Sequence, residues 1–148
     1  LALSEERIRG FGKFSNKIWN ATRFVLSNIE NFEIPENPKY DKEDEKSNQE
    51  LEALLKEITK EMEENKFYIV AEKLYHYFWH IFADVLIERA KKKMAEGVNV
   101  NSSKALLYYQ LTSLLKALHP FMPFITEEIW GMLPSKNKKL LMIEKWPC

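Results

Sequence analysis

The sequence predicts an all-α fold, an antiparallel bundle of four main helices followed by a short fifth helix and an extended C-terminal tail. Three observations predict it. Apolar residues recur at spacings of three and four in four separate stretches. Only four glycines and six prolines in 148 residues leave little turn material for a many-stranded sheet. A hydrophobic share of 45%, with 13% aromatic residues, argues against a disordered chain. At this length one core is expected, so residues 1–148 read as a single domain.

The first helix is expected from about Glu5 to Glu30, where Phe11, Phe14, Ile18, Ala21, Val25 and Ile29 form one apolar stripe. Asn31 to Asp44 contains Pro35, Pro38 and many charges, and reads as an exposed connection. Ser47 followed by Glu50 fits a capping box, and Leu51, Leu54, Leu55, Ile58 and Met62 carry a second helix to about Asn65. A third runs from Phe67 to about Ala95 on the stripe Ala71, Leu74, Phe78, Phe82 and Val85. It closes on Lys91, Lys92 and Lys93 before Gly97, as cations and a glycine commonly end a helix. Asn101, Ser102 and Ser103 are cap candidates for the fourth helix, whose leucines run from Leu106 to Leu118 until Pro120 stops it. Pro120 and Pro123 mark a corner before the short fifth helix, Thr126 to Leu133, and LLMIEKWP reads as the extended tail or a short strand. Helices with one apolar stripe each bury it by packing together, which gives the bundle but decides nothing about activity.

Several function classes are excluded or left without support. Cys148 is the single cysteine, so the chain can build neither a disulfide framework nor a cysteine zinc site, which suits a reducing cytoplasm. No stretch approaches the roughly 18 apolar residues of a membrane span, and the start LALSEERIRG has no signal-peptide pattern. A start without Met and an abrupt end after Trp146-Pro147-Cys148 are what an excised piece of a larger protein would show. The 22 basic and 22 acidic side chains cancel, yet they are unevenly placed. Residues 1–29 are net basic, residues 30–66 strongly acidic and residues 67–148 net basic, so a phosphate-bearing partner should avoid the middle.

The first helix carries the chemistry. With Ile18 at the centre of its buried face and about 100° per residue, Lys13, Asn16, Asn20, Arg23 and Ser27 fall on the opposite side. Phe24 falls about 120° from the core centre, near Lys13, Lys17 and Asn20. Unpaired RNA bases are read by stacking on aromatic or guanidinium planes and by hydrogen bonds to their edges, and an amide offers donor and acceptor together. Asn16, Asn20, Arg23 and Phe24 supply those parts one turn apart. The helical pattern alone leaves a second reading open, in which Phe24 packs on a neighbouring helix and the amides are only solvated.

Other constellations carry less. His76, His80 and Asp84 share one helical stripe at i, i+4 and i+8, but no H-E-x-x-H pattern exists and packing or surface hydrogen bonding accounts for them. Glu127 and Glu128 are adjacent and diverge by about 100°, so they fit a helix N-terminus better than paired acid–base work. Tyr75, Tyr77, Trp79 and Trp130 read as core aromatics, and Lys91 to Lys93 as a solvated helix end. No Gly-rich phosphate loop is present.

GFGKFSNKIWNATRFVL (Gly10 to Leu26) is similar to the motif G-x-x-N-F-x-N-K-L-W-N-A-x-R-F that opens the anticodon-binding domain of valyl-tRNA synthetases. KFYIVAEKLYHYFWHIFADVLIE (Lys66 to Glu88) resembles the family's third helix, and LLKALHPFMPFITEEIWGML (Leu114 to Leu133) resembles a block shared by the valyl, isoleucyl and leucyl enzymes. IEKWP fits the family's ending. The chain departs from the pattern at KSNQELEALL, where a Trp-Ile-Leu segment is usual, and at Val85-Leu86, where Trp-Tyr is usual. The resemblance implies anticodon contacts at Asn20, Arg23 and Phe24, with Asn16 and Lys17 beside them, and Arg7, Arg9 and Lys13 are candidates for phosphate contacts.

The same resemblance implies a tRNA partner, tRNA-Val, and a separate ATP-dependent catalytic domain elsewhere in a cytoplasmic parent enzyme. The present residues are then expected to be non-catalytic and to need no metal or cofactor, since the H-I-G-H-like and K-M-S-K-S-like ATP-site motifs are absent from them. Two alternatives remain at this point: the anticodon-binding domain of an isoleucyl-, leucyl- or methionyl-tRNA synthetase, and a helical protein-interaction module motivated by the zero net charge and acidic middle.

Overall fold

In the computed structural model, residues 5–134, 141 and 144–147 are described. They form α1 (Glu5–Ile29), α2 (Lys42–Glu63), α3 (Phe67–His76), a π-helical segment (Tyr77–Ile87), α4 (Glu88–Glu96), α5 (Val100–Leu118) and α6 (Pro123–Met132). The third to fifth of these are one continuous helical run, and no strand occurs among the described residues. The all-α bundle read from the sequence is therefore the observed fold. Of the expected tail, Leu141 is buried, and the Trp146 indole donates to Thr59 Oγ1 at 2.6 Å, fastening that part back onto α2; the remainder lies outside the described residues.

The centre of the bundle is α5, which packs against α1, α2, α3, the π segment, α4 and α6. Its sequence explains this position, because Leu106, Leu107, Leu111, Leu114 and Leu115 surround the helix and are all buried. Around it α1 contributes Phe14, Ile18, Ala21, Val25 and Ile29, and α2 contributes Leu51, Leu55 and Ile58. Phe11, expected in the first stripe, is 58% exposed because it lies at the end of the bundle where α1 begins. Phe14 meets Phe78 at 5.9 Å, and residues 17 and 24 of α1 meet residues 84 and 91 in turn. The 67–96 run thus lies alongside α1 and points the same way.

The third stripe differs from the sequence expectation in a way that has a geometric cause. One row of buried side chains, Val70, Leu74, Phe78, Phe82, Leu86 and Ala90, is spaced by four throughout, with Tyr77, Ala83 and Ile87 buried beside it, while Val85 is 49% exposed. In a straight α-helix each interval of four drifts by about 40°, which over five intervals would carry the stripe to the far side. The π segment closes i→i+5 bonds and turns less per residue, which cancels that drift. Val85 belongs to an α-helical stripe that this wider helix does not keep.

Both expected caps are also displaced. α2 begins five residues before Ser47, with Asp41 as N-cap accepting from the Asp44 amide at 2.8 Å. Ser47 instead sits inside the helix, donating to the Glu43 carbonyl at 3.1 Å. α5 begins at Val100 after Asn99 in the left-handed region (φ 48°), and Ser102 and Ser103 are buried inside it. The reason is a polar cluster that claims Ser47 and Ser102, while the Ser103 hydroxyl is buried without a hydrogen-bond partner. Asp44, fully buried, accepts from Arg89 Nη2 at 2.6 Å, Ser102 Oγ at 2.6 Å and Lys93 Nζ at 3.3 Å. Asp41 Oδ2 accepts from Lys93 at 2.5 Å and from Asn99 at 3.0 Å, while its amide donates to Ser102 Oγ at 3.0 Å. Deeper in, the Tyr77 hydroxyl donates to Gln110 Oε1 at 2.7 Å and Gln110 donates to Asn48 Oδ1 at 3.0 Å. Burial pushes the Tyr77 phenol far above its ordinary range.

Three outcomes follow from this packing. Phe82→Ala should lower stability by about 3–5 kcal/mol and Val85→Ala by less than about 0.5, read as urea midpoints; equal losses would contradict the π register. Asp44→Ala should cost about 3–5 kcal/mol, because it takes from the half-buried Arg89 its closest carboxylate and from Lys93 and Ser102 a shared acceptor. Burial pushes the Asp41 carboxyl up, but hydrogen bonds from Lys93 and the Asp44 amide outweigh it and hold it below its ordinary value of 3.8. Lys93 is held above 10.5 by the same carboxylates, despite its burial. The depressed Asp41 stabilises the fold above pH 3.8 and loses that contribution as the pH falls through its lowered value. The raised Lys93 stabilises below 10.5 and loses that contribution on alkalinisation. Thermal midpoints should fall at both extremes, and Asp41→Asn, which keeps a capping side chain, should blunt the acid limb.

Candidate nucleic-acid interface

With Phe14, Ile18, Ala21, Val25 and Ile29 committed to the core, the helical period turns Lys13, Asn16, Asn20 and Arg23 outward, and all four are exposed. They form a row about 15 Å long at 1.5 Å per residue. None of the four has a side-chain hydrogen bond or ion pair among the described residues. A rigid helix therefore presents two amides, a guanidinium and an ammonium that are available for other partners. Ser27 and Asn28 do not extend the row, since both side chains turn back to the Phe24 carbonyl, at 2.9 and 2.8 Å.

Phe24 stands differently from the projecting ring that the helical wheel suggests. It is half-buried and packs against the edge of the core. The Lys91 ammonium lies over it, 5.1 Å from the ring centroid. A wheel drawn for α1 alone cannot include α4, which rises beside it because the 67–96 run is parallel to α1. Phe24 is a ring with one side on the core and a cation on another.

Lys17 leaves the row as well. Its ammonium reaches sideways to Asp84 Oδ1 at 3.1 Å and lies 5.3 Å from the Trp79 ring centroid, so it is a bridge from α1 to the π segment. Arg9 is exposed near the start of α1, and the Arg7 side chain lies outside the described residues. The structure thus brings Asn16, Asn20, Arg23 and Phe24 together within two turns, with Lys13 at one end of the row and Lys17 set apart from it.

The other constellations resolve as follows. The His76 and His80 rings lie tilted to each other with centroids 5.0 Å apart, and His80 Nδ1 lies 3.6 Å from Asp84 Oδ2, on a carboxylate already engaged by Lys17. Among the described residues no group of three His, Cys, Asp or Glu side chains is placed to hold a metal. Glu127 accepts from the Leu141 amide at 2.9 Å. Tyr77 and Trp130 are buried, Trp79 is half-buried against Phe14, and Tyr75 is partly exposed. Of the three consecutive lysines only Lys92 is a plain solvated cation; Lys93 belongs to the buried cluster and Lys91 to Phe24. Sequence reasoning missed the role of Lys91, for which a shared seven-residue offset between the pairs 17–84 and 24–91 is the only signal, visible once two helices are known to run in parallel.

No helix among the described residues is long and apolar enough to cross a membrane. Residues 44–148 match the family model of the anticodon-binding domain of tRNA ligase. The chain is 41% identical over 139 residues to a valine–tRNA ligase of Thermotoga maritima, which covers 93% of the chain and 16% of that protein. It is 38% identical over 154 residues to the valine–tRNA ligase of Geobacter sulfurreducens, covering 99% of the chain and 17% of that protein, so this likeness includes α1. A valine–tRNA ligase of Coxiella burnetii is 37% identical over 95% of the chain and 16% of its own length. The chain spans about a sixth of the length of these relatives, and the region matched is the anticodon-binding, non-catalytic part. On the family match and on the relatives that extend it through α1, this chain belongs to the anticodon-binding domain family of tRNA ligases.

Proposed function

We propose that the chain receives the anticodon loop of tRNA-Val as the tRNA-recognition domain of a cytoplasmic valine–tRNA ligase. The observation that carries this reading is the unpartnered row Asn16, Asn20 and Arg23 beside the half-buried Phe24, on a helix that the valine–tRNA ligase likeness includes. Amides and a guanidinium fit base edges and planes, and the phenyl ring supplies a stacking face. Lys13 at the start of the row supports phosphate contact, which adds affinity without reading sequence. Charge placement supports the same side, because the acidic α2 belongs to the other flank of α5.

In this reading the chain itself needs no cofactor, and ATP is used by a catalytic domain elsewhere in the parent. The end of the bundle where α1 begins suits contact with that domain. Phe11, Tyr68 and Phe124 are 58%, 74% and 91% exposed, and Phe11 also lines a cavity of about 310 Å³ with Phe14, Tyr75, Leu118 and Phe121.

The chain should bind a stem-loop bearing a valine anticodon, with affinity that declines linearly in log salt. Phe24→Ala and Arg23→Ala should each weaken binding by about 1–3 kcal/mol, with Phe24→Leu controlling for packing. Unchanged affinity in both alanine variants would refute the assigned face. Stem-loops altered only in the anticodon should bind at least tenfold more weakly, by about 1.4 kcal/mol; preference for an isoleucine, leucine or methionine anticodon would reassign the parent. No salt-dependent RNA affinity at all would favour a protein-docking role.

A further inference from the structure

We propose that Lys91 is a nucleotide-contacting residue that covers Phe24 in the free chain and moves from the ring to a phosphate when a base stacks there. The inference rests on the anticodon reading above and adds to it a residue on a different helix. Two independent contacts define the resting position. The ammonium lies 5.1 Å from the Phe24 centroid, and it also pairs with Glu88 Oε1 at 2.9 Å. A base stacked on the ring needs roughly 3.5–4.0 Å of separation, so it occupies the space that Lys91 holds. The lysine must leave before the base can settle.

Leaving is easy for this side chain and hard for its helix. Lys91 and Glu88 are both largely exposed, 48% and 60%, so their ion pair is weak. An exposed cation–π contact is weak as well. By contrast Arg89 and Lys93, on the other face of α4, are tied to Asp44 in the interior. The backbone of α4 is therefore fixed while the four-carbon stem of Lys91 is free to swing. Every stacked nucleotide brings a phosphate, and the carboxylates of Glu88 and Asp84 stand on the 67–96 run beside this flank, the latter already engaged by Lys17. A mobile cation on the 67–96 run offsets those carboxylates and adds to Lys13 and Arg23 of α1. Lys91 supplies that cation from the position the base has just taken.

The test is a salt series of stem-loop binding, with a valine anticodon, by fluorescence anisotropy for the wild-type chain, Lys91→Gln and Glu88→Gln. Lys91→Gln should bind several-fold more weakly, and its slope of log affinity against log salt should be shallower by about 0.7–0.9, the loss of one phosphate contact. Glu88→Gln should bind more tightly, because it releases Lys91 and removes a facing anion. A lysine that only shields the ring predicts the reverse for Lys91→Gln, tighter or equal binding with an unchanged slope, and that result overturns the proposal while leaving the anticodon reading intact. Absence of binding by the wild-type chain overturns both. Urea midpoints of the two variants should match the wild type, since neither side chain is buried.

Discussion

Asp44 is a carboxylate without solvent contact that takes hydrogen bonds from α4 and α5 while standing in the first turn of α2. Placing a charge there carries a desolvation cost that its partners offset only through close geometry. The arrangement is therefore worth more as a constraint on geometry than as a source of stability. Arg89 and Lys93 lie one turn apart on α4, and both are held toward Asp44. Lys91, between them in sequence, is consequently turned about 160–200° away, toward α1. A cluster buried among α2, α4 and α5 thus sets the roll of α4, and with it the side chain that meets Phe24. The polar interior and the candidate RNA surface are two faces of one short helix.

Much of the bundle was legible in the sequence because most of its helices keep an ordinary α period. The stripes of α1 and α5 read correctly from Phe14 to Ile29 and from Leu106 to Leu118, and Pro120 ends α5 where its ring predicts. The failures share a cause: side chains with good local roles are recruited by distant partners. Ser47 and Glu50 have the spacing of a capping box, but Asp41 caps α2 because Ser102 and Lys93 anchor it from elsewhere in the chain. The wide helix left a trace that an α template overlooks. Val70, Leu74, Phe78, Phe82, Leu86 and Ala90 recur every fourth residue over twenty positions, a row that a straight α-helix would carry round to its far side.

The candidate surface was legible for the same reason the first stripe was. Once the buried side of α1 is known, its exposed side follows, and Asn16, Asn20 and Arg23 stand there. The similarity of NKIWNATRF to valine–tRNA ligases named the chemistry that this row could serve. What a single helix could not reveal was its neighbour. Lys17 and Phe24 both sit on the flank facing the 67–96 run, so their environment depends on Trp79, Asp84 and Lys91, residues more than sixty positions away. Amphipathic patterning reports which side of a helix is dry and carries no information about what stands at its border.

The widened turns of residues 77–87 also limit how the chain can change in length. Because they hold the stripe in phase, loss of a single residue there would rotate everything downstream by about 100°. Leu86, Ile87 and Ala90 would swing out of the interior, and Arg89 would point away from its carboxylate. Substitution within this stretch is thus governed by ordinary side-chain volume, whereas its residue count works as a gear ratio between the two ends of the helix, tuned so that both mesh with the same partner.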